Sequence, residues 1–170
     1  MAFKELCNDD GALFGLQPAS DSDIDRKLHE VCINHKLAEK LAAQACFSES
    51  EHGRLYVDIE FNREGAHPKI LLEDVVRPDI IVHNRQSDHN KLNLLVVECK
   101  KEHASASAIE DDRKNVINFI KCVKYAYQYG LCVIYKRNSV CGKLYERRIS
   151  TAGEPEAAPP QEIKYPEIEE

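Results

Sequence analysis

Two short apolar segments, residues 77–83 and 92–100, constrain the fold of this chain more than any other feature. Each is too short for a typical buried helix and is rich in Ile, Leu or Val, so both predict β-strands. Alternation along the second segment places two sets of side chains on opposite faces, Leu94, Val96, Glu98 and Lys100 against Leu95, Val97 and Cys99. Glu98 and Lys100 are therefore expected to be neighbours about 7 Å apart, at the end of an apolar strand where side chains meet solvent.

The flanking segments predict an α/β fold. A first helix is expected to start at a cap formed by Ser20 or Ser22 and to end near Cys46. A second helix is expected over residues 107–129, ended by Gly130, and is long enough to cross over to a parallel strand. The remaining strands are predicted at residues 55–61, 131–135 and 143–149. The resulting order is helix, three strands, helix and strand, with a mixed central sheet flanked by helices.

The two ends of the chain differ in composition from the middle. Residues 1–20 predict a weakly structured N-terminal extension, because helix breakers occur at Asp9, Asp10, Gly11 and Pro18. Residues 150–170 are rich in Pro, Glu and Ala and predict a disordered acidic tail, because they contain too little apolar surface to offset chain entropy. The sequence therefore predicts one domain at residues 21–149.

Composition excludes several classes of protein. The 170 residues are 43% hydrophobic and 31% charged, which is typical of a globular protein. No apolar run approaches the roughly 20 residues of a membrane span, and the acidic N-terminus is unlike a secretion signal, so we expect a cytoplasmic protein with no membrane partner. The seven cysteines include no C-x-x-C pair, which argues against a structural zinc site. No glycine-rich nucleotide-binding loop is present in the sequence.

Three ionisable side chains are expected to converge where the two apolar strands meet. In a hairpin of these strands, Asp79 lies near the same sheet end as Glu98 and Lys100. Two carboxylates supply the hard oxygen ligands that Mg²⁺ prefers, and the backbone carbonyl of Cys99 offers a further one. A metal held there polarises a phosphate and activates water, while the Lys100 ammonium offsets the developing charge. These residues therefore suit metal-assisted phosphodiester hydrolysis.

The motif Pro78-Asp79, eighteen residues, Glu98-Cys99-Lys100 resembles the PD-(D/E)XK nuclease superfamily, whose restriction-endonuclease-like core has the element order predicted above. The stretches at residues 35–38, 57–63, 77–83 and 93–101 are similar to a small, stand-alone prokaryotic branch with no specific assigned substrate. The resemblance covers residues 24–135 and implies Mg²⁺ or Mn²⁺ as the cofactor. It also implies roles for four side chains and one carbonyl. Asp79, Glu98 and the Cys99 carbonyl would bind the metal, Lys100 would assist the nucleophilic water, and Glu30 would bind the metal through a water molecule.

Glu30 falls on the inward-facing arc of the first predicted helix. A buried Glu is costly without a partner, so a role at a charged site is consistent with its position. Each candidate also has a structural interpretation: Asp79 can cap a turn, and Glu98 and Lys100 can form an ion pair on a solvated sheet face. Other polar residues are interpreted structurally. Asp58 and Glu60 are expected to face solvent, His35 to lie in the core, and His83 and His89 to lie at the surface.

Basic residues indicate where a nucleic-acid backbone would bind. Residues 91–149 carry 12 Lys and Arg against six Asp and Glu. The side chains considered for backbone contacts are Lys101, Arg113, Lys114, Lys121, Lys124, Asn62 and Arg63. A solvated helix face explains these Lys and Arg residues equally well, and a turn explains Asn62-Arg63. Asp112 and Arg113 border the buried face of the second helix, where they either pair with neighbours or point toward the site.

The sequence thus predicts a metal-dependent endonuclease that acts on DNA rather than RNA, with genome defence or repair implied by the resemblance alone. The alternative is a catalytically inactive module on the same fold that binds nucleic acid or protein. An enzyme acting on a small phosphate compound is a third possibility. A homodimer is expected, because a subunit with one site needs a partner to cut both strands of a duplex.

Overall fold

The structure is a computed structural model that describes residues 2–11, 29–44, 53–64, 67–86, 91–136 and 139–165. Within these ranges the protein is α/β, with three helices and a mixed central sheet. The helices are α1 (Ala2–Asp10), α2 (Glu30–Ala42) and α3 (Ala106–Lys121). The strands are β1 (Tyr56–Ile59), β2 (Arg63–Glu64), β3 (His67–Pro68), β4 (Ile70–Leu71), β5 (Asp74–Val75), β6 (Ile80–His83), β7 (Asn93–Lys101), β8 (Tyr129–Lys136), β9 (Ser139–Ile149), β10 (Pro155–Ala157) and β11 (Gln161–Tyr165). No helix in these ranges is long and apolar enough to cross a membrane.

The central sheet is mixed because one helical crossover interrupts a run of antiparallel pairs. Its strand order is β1-β6-β7-β8-β9-β10, and β11 also pairs with β9. Strands β1, β6 and β7 are antiparallel neighbours, in which Ile80 pairs with Val97. Helix α3 then connects β7 to β8, which runs parallel to it. Two small hairpins, β2–β3 and β4–β5, lie between β1 and β6 in the chain.

The two faces of β7 pack against different helices. Leu95, Val97 and Cys99 belong to a core that includes residues of α1 and α2. Val96 on the opposite face belongs to a second core that includes Phe119 of α3. Glu98 and Lys100 share the parity of Val96, so they lie on the α3 face of the strand. The strand is therefore covered on both faces, which explains its nearly continuous apolar sequence.

Helix α2 is shorter than the sequence predicts. His29 is extended, with φ −60° and ψ 140°, and it precedes the first helical residue, Glu30. The helix ends at Ala42, four residues before the predicted end at Cys46. The predicted caps Ser20 and Ser22 lie outside the described residues, as do Cys46 and the turn predicted at residues 88–90.

Helix α3 ends at Lys121, and the prediction that it continues to Gly130 is wrong. Cys122 already has extended geometry, and the chain passes through Ala126 at a φ of 50° before it enters β8. Gly130 lies inside β8 rather than at a helix end. A Cβ atom there would lie 2.8 Å from Cδ1 of Ile120 and closer still to Cγ1 of Val116. Glycine is therefore required because α3 approaches the sheet closely, and not because it caps a helix.

The Gly130→Ala substitution is expected to destabilise the fold by about 1–3 kcal/mol, since the added methyl group overpacks the contact between α3 and β8. Urea unfolding followed by circular dichroism measures this difference. Gly142→Ala is the matched comparison, because its Cβ would meet Leu131 at 3.1 Å and requires a smaller adjustment. An equal or smaller loss at Gly130 than at Gly142 would contradict this account.

The N-terminal segment is better ordered than the sequence predicts. Helix α1 buries Ala2, Phe3, Leu6 and Cys7, which join the same core as α2 and one face of the sheet. The helix ends at Asp10, where the sequence places its first breakers. Residues 2–11 are thus part of the domain, although they read as a weakly structured extension.

The prediction of a disordered tail is wrong for residues 150–165. Strand β10 pairs with residues 147–149 of β9, and β11 pairs with residues 140–144 of the same strand. Ala158, between the two strands, is buried and donates its backbone N–H to the carbonyl of Glu146 at 2.8 Å. Backbone pairing to an edge strand needs few apolar side chains, which is why composition alone suggests disorder.

Candidate functional site

The site is built where β6 begins and β7 ends. Asp79 immediately precedes β6, and the pairing of Ile80 with Val97 sets it beside the last residues of β7. The backbone N–H of Cys99 donates to Oδ2 of Asp79 at 2.7 Å. Glu98, one residue earlier, is almost fully buried at 9% exposure. The antiparallel register therefore places both predicted metal ligands at one end of the sheet.

Lys100 connects these strands to both neighbouring helices. Its Nζ atom lies 2.8 Å from Oδ2 of Asp112 on α3 and 3.7 Å from Oε1 of Glu30 on α2. The second oxygen of Glu30, Oε2, accepts the backbone N–H of Lys101 at 3.0 Å. The first residue of α2 and the second turn of α3 thus reach the end of β7 from opposite faces of the sheet.

Asp79 and Glu98 both have raised pKa values, chiefly because their carboxyl groups are buried. Burial raises the pKa of Asp79, and the carboxylates of Glu30 and Asp112 raise it further. Burial also raises the pKa of Glu98 well above its usual range, and Asp79 and Asp112 add to this effect. The Cys99 N–H opposes the shift at Asp79, and Lys100 opposes both shifts, but neither reverses them.

The pKa of Lys100 is raised as well, which favours its charged form. Burial lowers its pKa, but the hydrogen bond with Asp112 and the charges of Glu30 and Asp79 outweigh burial, so the pKa is raised. Its amine therefore stays protonated near neutral pH and cannot act as a general base there.

The donor set at this end of β7 suits a hard divalent cation. Four carboxyl groups and one ammonium group meet there, and burial together with the neighbouring carboxylates raises the pKa values of Asp79 and Glu98. Mg²⁺ is typically bound through one or two protein carboxylates and keeps several waters. Asp79 and Glu98 fit that requirement. As the side chains stand, no group of three or more His, Cys, Asp and Glu in the described ranges is positioned to hold a metal ion.

Cys99 presents only its backbone to the site. Its carbonyl, the third predicted metal ligand, accepts a hydrogen bond from Nζ of Lys100 at 3.3 Å. Its thiol lies in the opposite core, where Oη of Tyr135 lies 3.4 Å from the sulfur and 3.1 Å from Oδ1 of Asn34. Burial raises the pKa of this thiol well above its usual range, so it is chemically inert.

Two of the seven residues predicted to contact a nucleic-acid backbone form ion pairs within their own helix. Arg113 pairs with Glu110, and Lys114 pairs with Asp111 at 3.2 Å, both within α3. Lys101 contributes its backbone N–H to Glu30, as described above. Two others, Asn62 and Arg63, accept hydrogen bonds from Lys69 through their backbone carbonyls.

Asp112 is the site residue that the sequence leaves undecided. Its neighbours on a helical projection place it at the border of the buried face, and only the ion pair with Lys100 identifies it as part of the site. His35, expected in the core, is instead exposed beside Glu39 at 3.3 Å. Asn34, one residue earlier, takes the buried position.

A second polar cluster contradicts the expectation that Asp58 and His83 face solvent. His83 is 6% exposed, and its Nε2 atom lies 2.8 Å from Oδ2 of Asp58. Arg85 also pairs with Asp58 through both of its oxygens. The Phe61 ring lies tilted against the His83 ring, with their centres 5.1 Å apart, so the segment after β1 folds back over the sheet. The alternation of polar and apolar residues along a strand does not predict that another segment will cover its face. His89, expected at the surface, lies outside the described residues.

Comparison with known proteins adds no relative. No protein-family model matches the chain, and searches of curated proteins and of solved structures give no match. Function is therefore inferred from the sequence motif and from the geometry of the site.

Proposed function

We propose that this chain is a metal-dependent nuclease with a PD-(D/E)XK type of site, which hydrolyses phosphodiester bonds and acts on DNA rather than RNA. The observation that carries the proposal is the convergence of Asp79, Glu98, Glu30 and Asp112 around Lys100. A purely structural ion-pair network has no need of four carboxyl groups for one ammonium group. Carboxyl groups with raised pKa values, gathered in one place, are typical of functional sites.

The element order adds support. An initial helix, three antiparallel strands, a helix and a parallel strand occur here as α2, β1, β6, β7, α3 and β8, with the two small hairpins inserted after β1. This is the order that the resemblance implies for a restriction-endonuclease-like core. Helix α1 and strands β9 to β11 extend it.

In this proposal, Asp79 and Glu98 hold Mg²⁺ or Mn²⁺, with the Cys99 carbonyl as a further oxygen donor. A bound divalent ion polarises the phosphate and lowers the pKa of water. The N–H of Cys99 donates to Oδ2 of Asp79 and so fixes the orientation of this carboxylate. The rigid strand pairing of β6 with β7 keeps both carboxylates in place without a loop rearrangement.

Lys100 and Glu30 act on the water and the phosphate. The protonated amine of Lys100 stabilises the negative charge that grows on the phosphoryl oxygens as the water oxygen bonds to phosphorus. The bond from phosphorus to the leaving sugar oxygen breaks, and that oxygen takes a proton from solvent in place of the one that the attacking water loses. Glu30 is held by the N–H of Lys101 through Oε2, so its Oε1 atom is oriented toward Lys100 and can accept a hydrogen bond from the attacking water. Asp112 is a positioning residue, because its ion pair fixes the amine of Lys100.

The Lys100→Gln variant is expected to lower the rate of DNA cleavage by about 10²–10³-fold, because it removes one preorganised charge from the transition state. A fluorescently labelled 30-base-pair duplex and a single strand of the same sequence, each with 5 mM Mg²⁺ or Mn²⁺, provide the measurement. Lys164→Gln is the matched control, because Lys164 is exposed on β11. It should cleave as the wild type does.

Wild-type protein that cleaves neither the duplex nor the single strand with either metal would contradict the proposal. Cleavage that persists at full rate in the Lys100→Gln variant would contradict the role given to Lys100. Nucleic-acid binding without cleavage would instead favour the inactive binding module.

A further inference from the structure

A second group of cations lies at the opposite end of the sheet from the carboxylates. Arg54 precedes β1, Arg85 follows β6, and Lys91 precedes β7. The pairings of Tyr56 with His83 and of His83 with Asn93 bring these three strand ends together. Lys124 joins them through its backbone carbonyl, which Nζ of Lys91 approaches at 3.4 Å. We call Arg54, Arg85, Lys91 and Lys124 the distal cation cluster.

Aromatic rings hold these cations in place. The guanidinium carbons of Arg54 and Arg85 lie 5.4 Å and 4.1 Å from the ring centre of Tyr56. The amines of Lys91 and Lys124 lie 5.6 Å and 5.4 Å from the ring centre of Tyr125. Cation–π contacts of this kind restrict long side chains without neutralising their charge. The cluster is therefore partly preorganised for an anion.

Tyr125 is itself fixed to the sheet and to the β4–β5 hairpin. Its backbone carbonyl accepts a hydrogen bond from Nδ2 of Asn93 at 2.6 Å. Its hydroxyl accepts the N–H of Ile70 at 2.8 Å and donates to the Ile70 carbonyl at 3.0 Å. The ring that carries Lys91 and Lys124 is thus part of the rigid core rather than of a mobile surface.

The cluster and the carboxylate site share one face of the sheet. Tyr56 has the parity of Asp58, which pairs with Ile81, and Ile81 pairs with Val96. Asp79 and Glu98 have the parity of Ile81 and Val96 on their own strands. His83, which pairs with Asn93, lies four residues along β6 from Asp79, so the two ends are about 13 Å apart at 3.3 Å per residue. This length corresponds to about four nucleotide steps of a stacked strand.

We infer that the distal cation cluster binds the phosphate backbone of the nucleic acid whose scissile bond lies at Asp79 and Glu98. The inference rests on the proposed nuclease function for the choice of polyanion. Arg guanidinium groups present planar donor pairs that match phosphate oxygens, and Lys amines add point charges. Within the cluster, Arg85 is also paired with Asp58.

The test measures binding without catalysis. A fluorescein-labelled 20-nucleotide oligo(dT) is titrated with protein in EDTA, and anisotropy is followed from 50 to 200 mM NaCl. The double variant Arg54→Gln, Lys124→Gln removes two exposed charges of the cluster. It is expected to weaken binding about tenfold and to lower the slope of log K against log salt by about 1.4, since each single-strand phosphate contact contributes about 0.7.

A double variant with the same change in net charge provides the control. Lys36→Gln, Lys164→Gln removes two cations from α2 and β11, both outside the cluster and the carboxylate site. Its affinity and salt slope should equal those of the wild type. Thermal unfolding of both double variants verifies that each is folded.

Equal effects of the two double variants would overturn the inference, because binding would then follow net charge alone. Absence of oligo(dT) binding by the wild type would also overturn it. Neither result depends on cleavage, so a failure of the proposed nuclease activity is recognised separately, by wild-type protein that binds the strand in EDTA and does not cut it when Mg²⁺ or Mn²⁺ is added.

Discussion

Without divalent metal at pH 8, the Glu98→Gln variant is expected to unfold at a higher temperature than the wild type. Glu98 is buried beside Asp79 and Asp112, which disfavours its ionised form. A neutral amide of nearly the same shape avoids this cost and can donate a hydrogen bond to Asp79. For a chain of this size, each kcal/mol gained raises Tm by about 2–4 °C.

The pH dependence of stability follows from the raised pKa of Glu98. The folded protein keeps a proton on Glu98 at pH values where the unfolded chain has released it. Stability is therefore lost as pH rises from the usual Glu pKa through the raised folded pKa. Asp79, whose pKa is also raised, contributes in the same direction. The difference in Tm between variant and wild type should thus be small at pH 5 and larger at pH 8.

Metal binding should reverse the order of stability. A ligand that binds only the folded state raises Tm, and Mg²⁺ or Mn²⁺ would do so for the wild type at pH 8 by neutralising both carboxylates. The Glu98→Gln variant should lose this response. Thermal unfolding with and without 5 mM metal, in buffers from pH 5 to 8, measures both effects.

Glu162→Gln is the control for this experiment, because Glu162 is exposed on β11. It should match the wild type in every condition. A Glu98→Gln variant that is less stable in EDTA, or that retains the full metal response, would contradict the proposed role of Glu98.

Removal of residues 150–170 is expected to cause a large loss of stability. The deletion uncovers the outer edge of β9 and removes Ala158, Ile163 and Tyr165 from their contacts with the core. It also breaks the hydrogen bond from Tyr165 to Oδ1 of Asn8, which ties β11 to α1. We expect Tm to fall by about 10 °C or more, since several kcal/mol of packing are lost.

A shorter deletion provides the control. A chain that ends at Tyr165 keeps both β10 and β11, and it should retain the wild-type Tm and remain monodisperse in size-exclusion chromatography. The longer deletion should aggregate, because the edge of an eleven-residue strand is then open to pair with other chains. Unchanged stability of the longer deletion would show that the strand pairing contributes little.

The sequence predicts the centre of this fold well, because β6 and β7 have unmistakable patterns. Their apolar runs identify them as strands, and alternation correctly assigns Glu98 and Lys100 to one face. Asp79 can be placed near Glu98 because a hairpin has only a few registers compatible with its apolar pattern. The positions of Asp79, Glu98 and Lys100 can thus be predicted from the pattern of two neighbouring strands.

What the sequence does not reveal depends on contacts between distant segments. Asp112 joins the site only because α3 crosses above the end of β7. Gly130 resembles a helix cap until the close approach of Val116 and Ile120 is known. The segment at residues 150–165 becomes ordered through pairing with β9, a partner that its own composition cannot indicate.

The hydrogen bond from the Cys99 N–H to Asp79 has a consequence for refolding experiments. Asp79 depends on this one N–H of β7, so a slip of β7 by a single residue would present a different amide and turn Glu98 to the opposite face. If Asp79 and Glu98 hold Mg²⁺ as proposed, titration with Mg²⁺ would count only the molecules whose central strands are in the native register. In a refolded preparation, the stoichiometry of binding would measure the yield of correctly paired chains, which far-ultraviolet circular dichroism cannot distinguish from shifted ones.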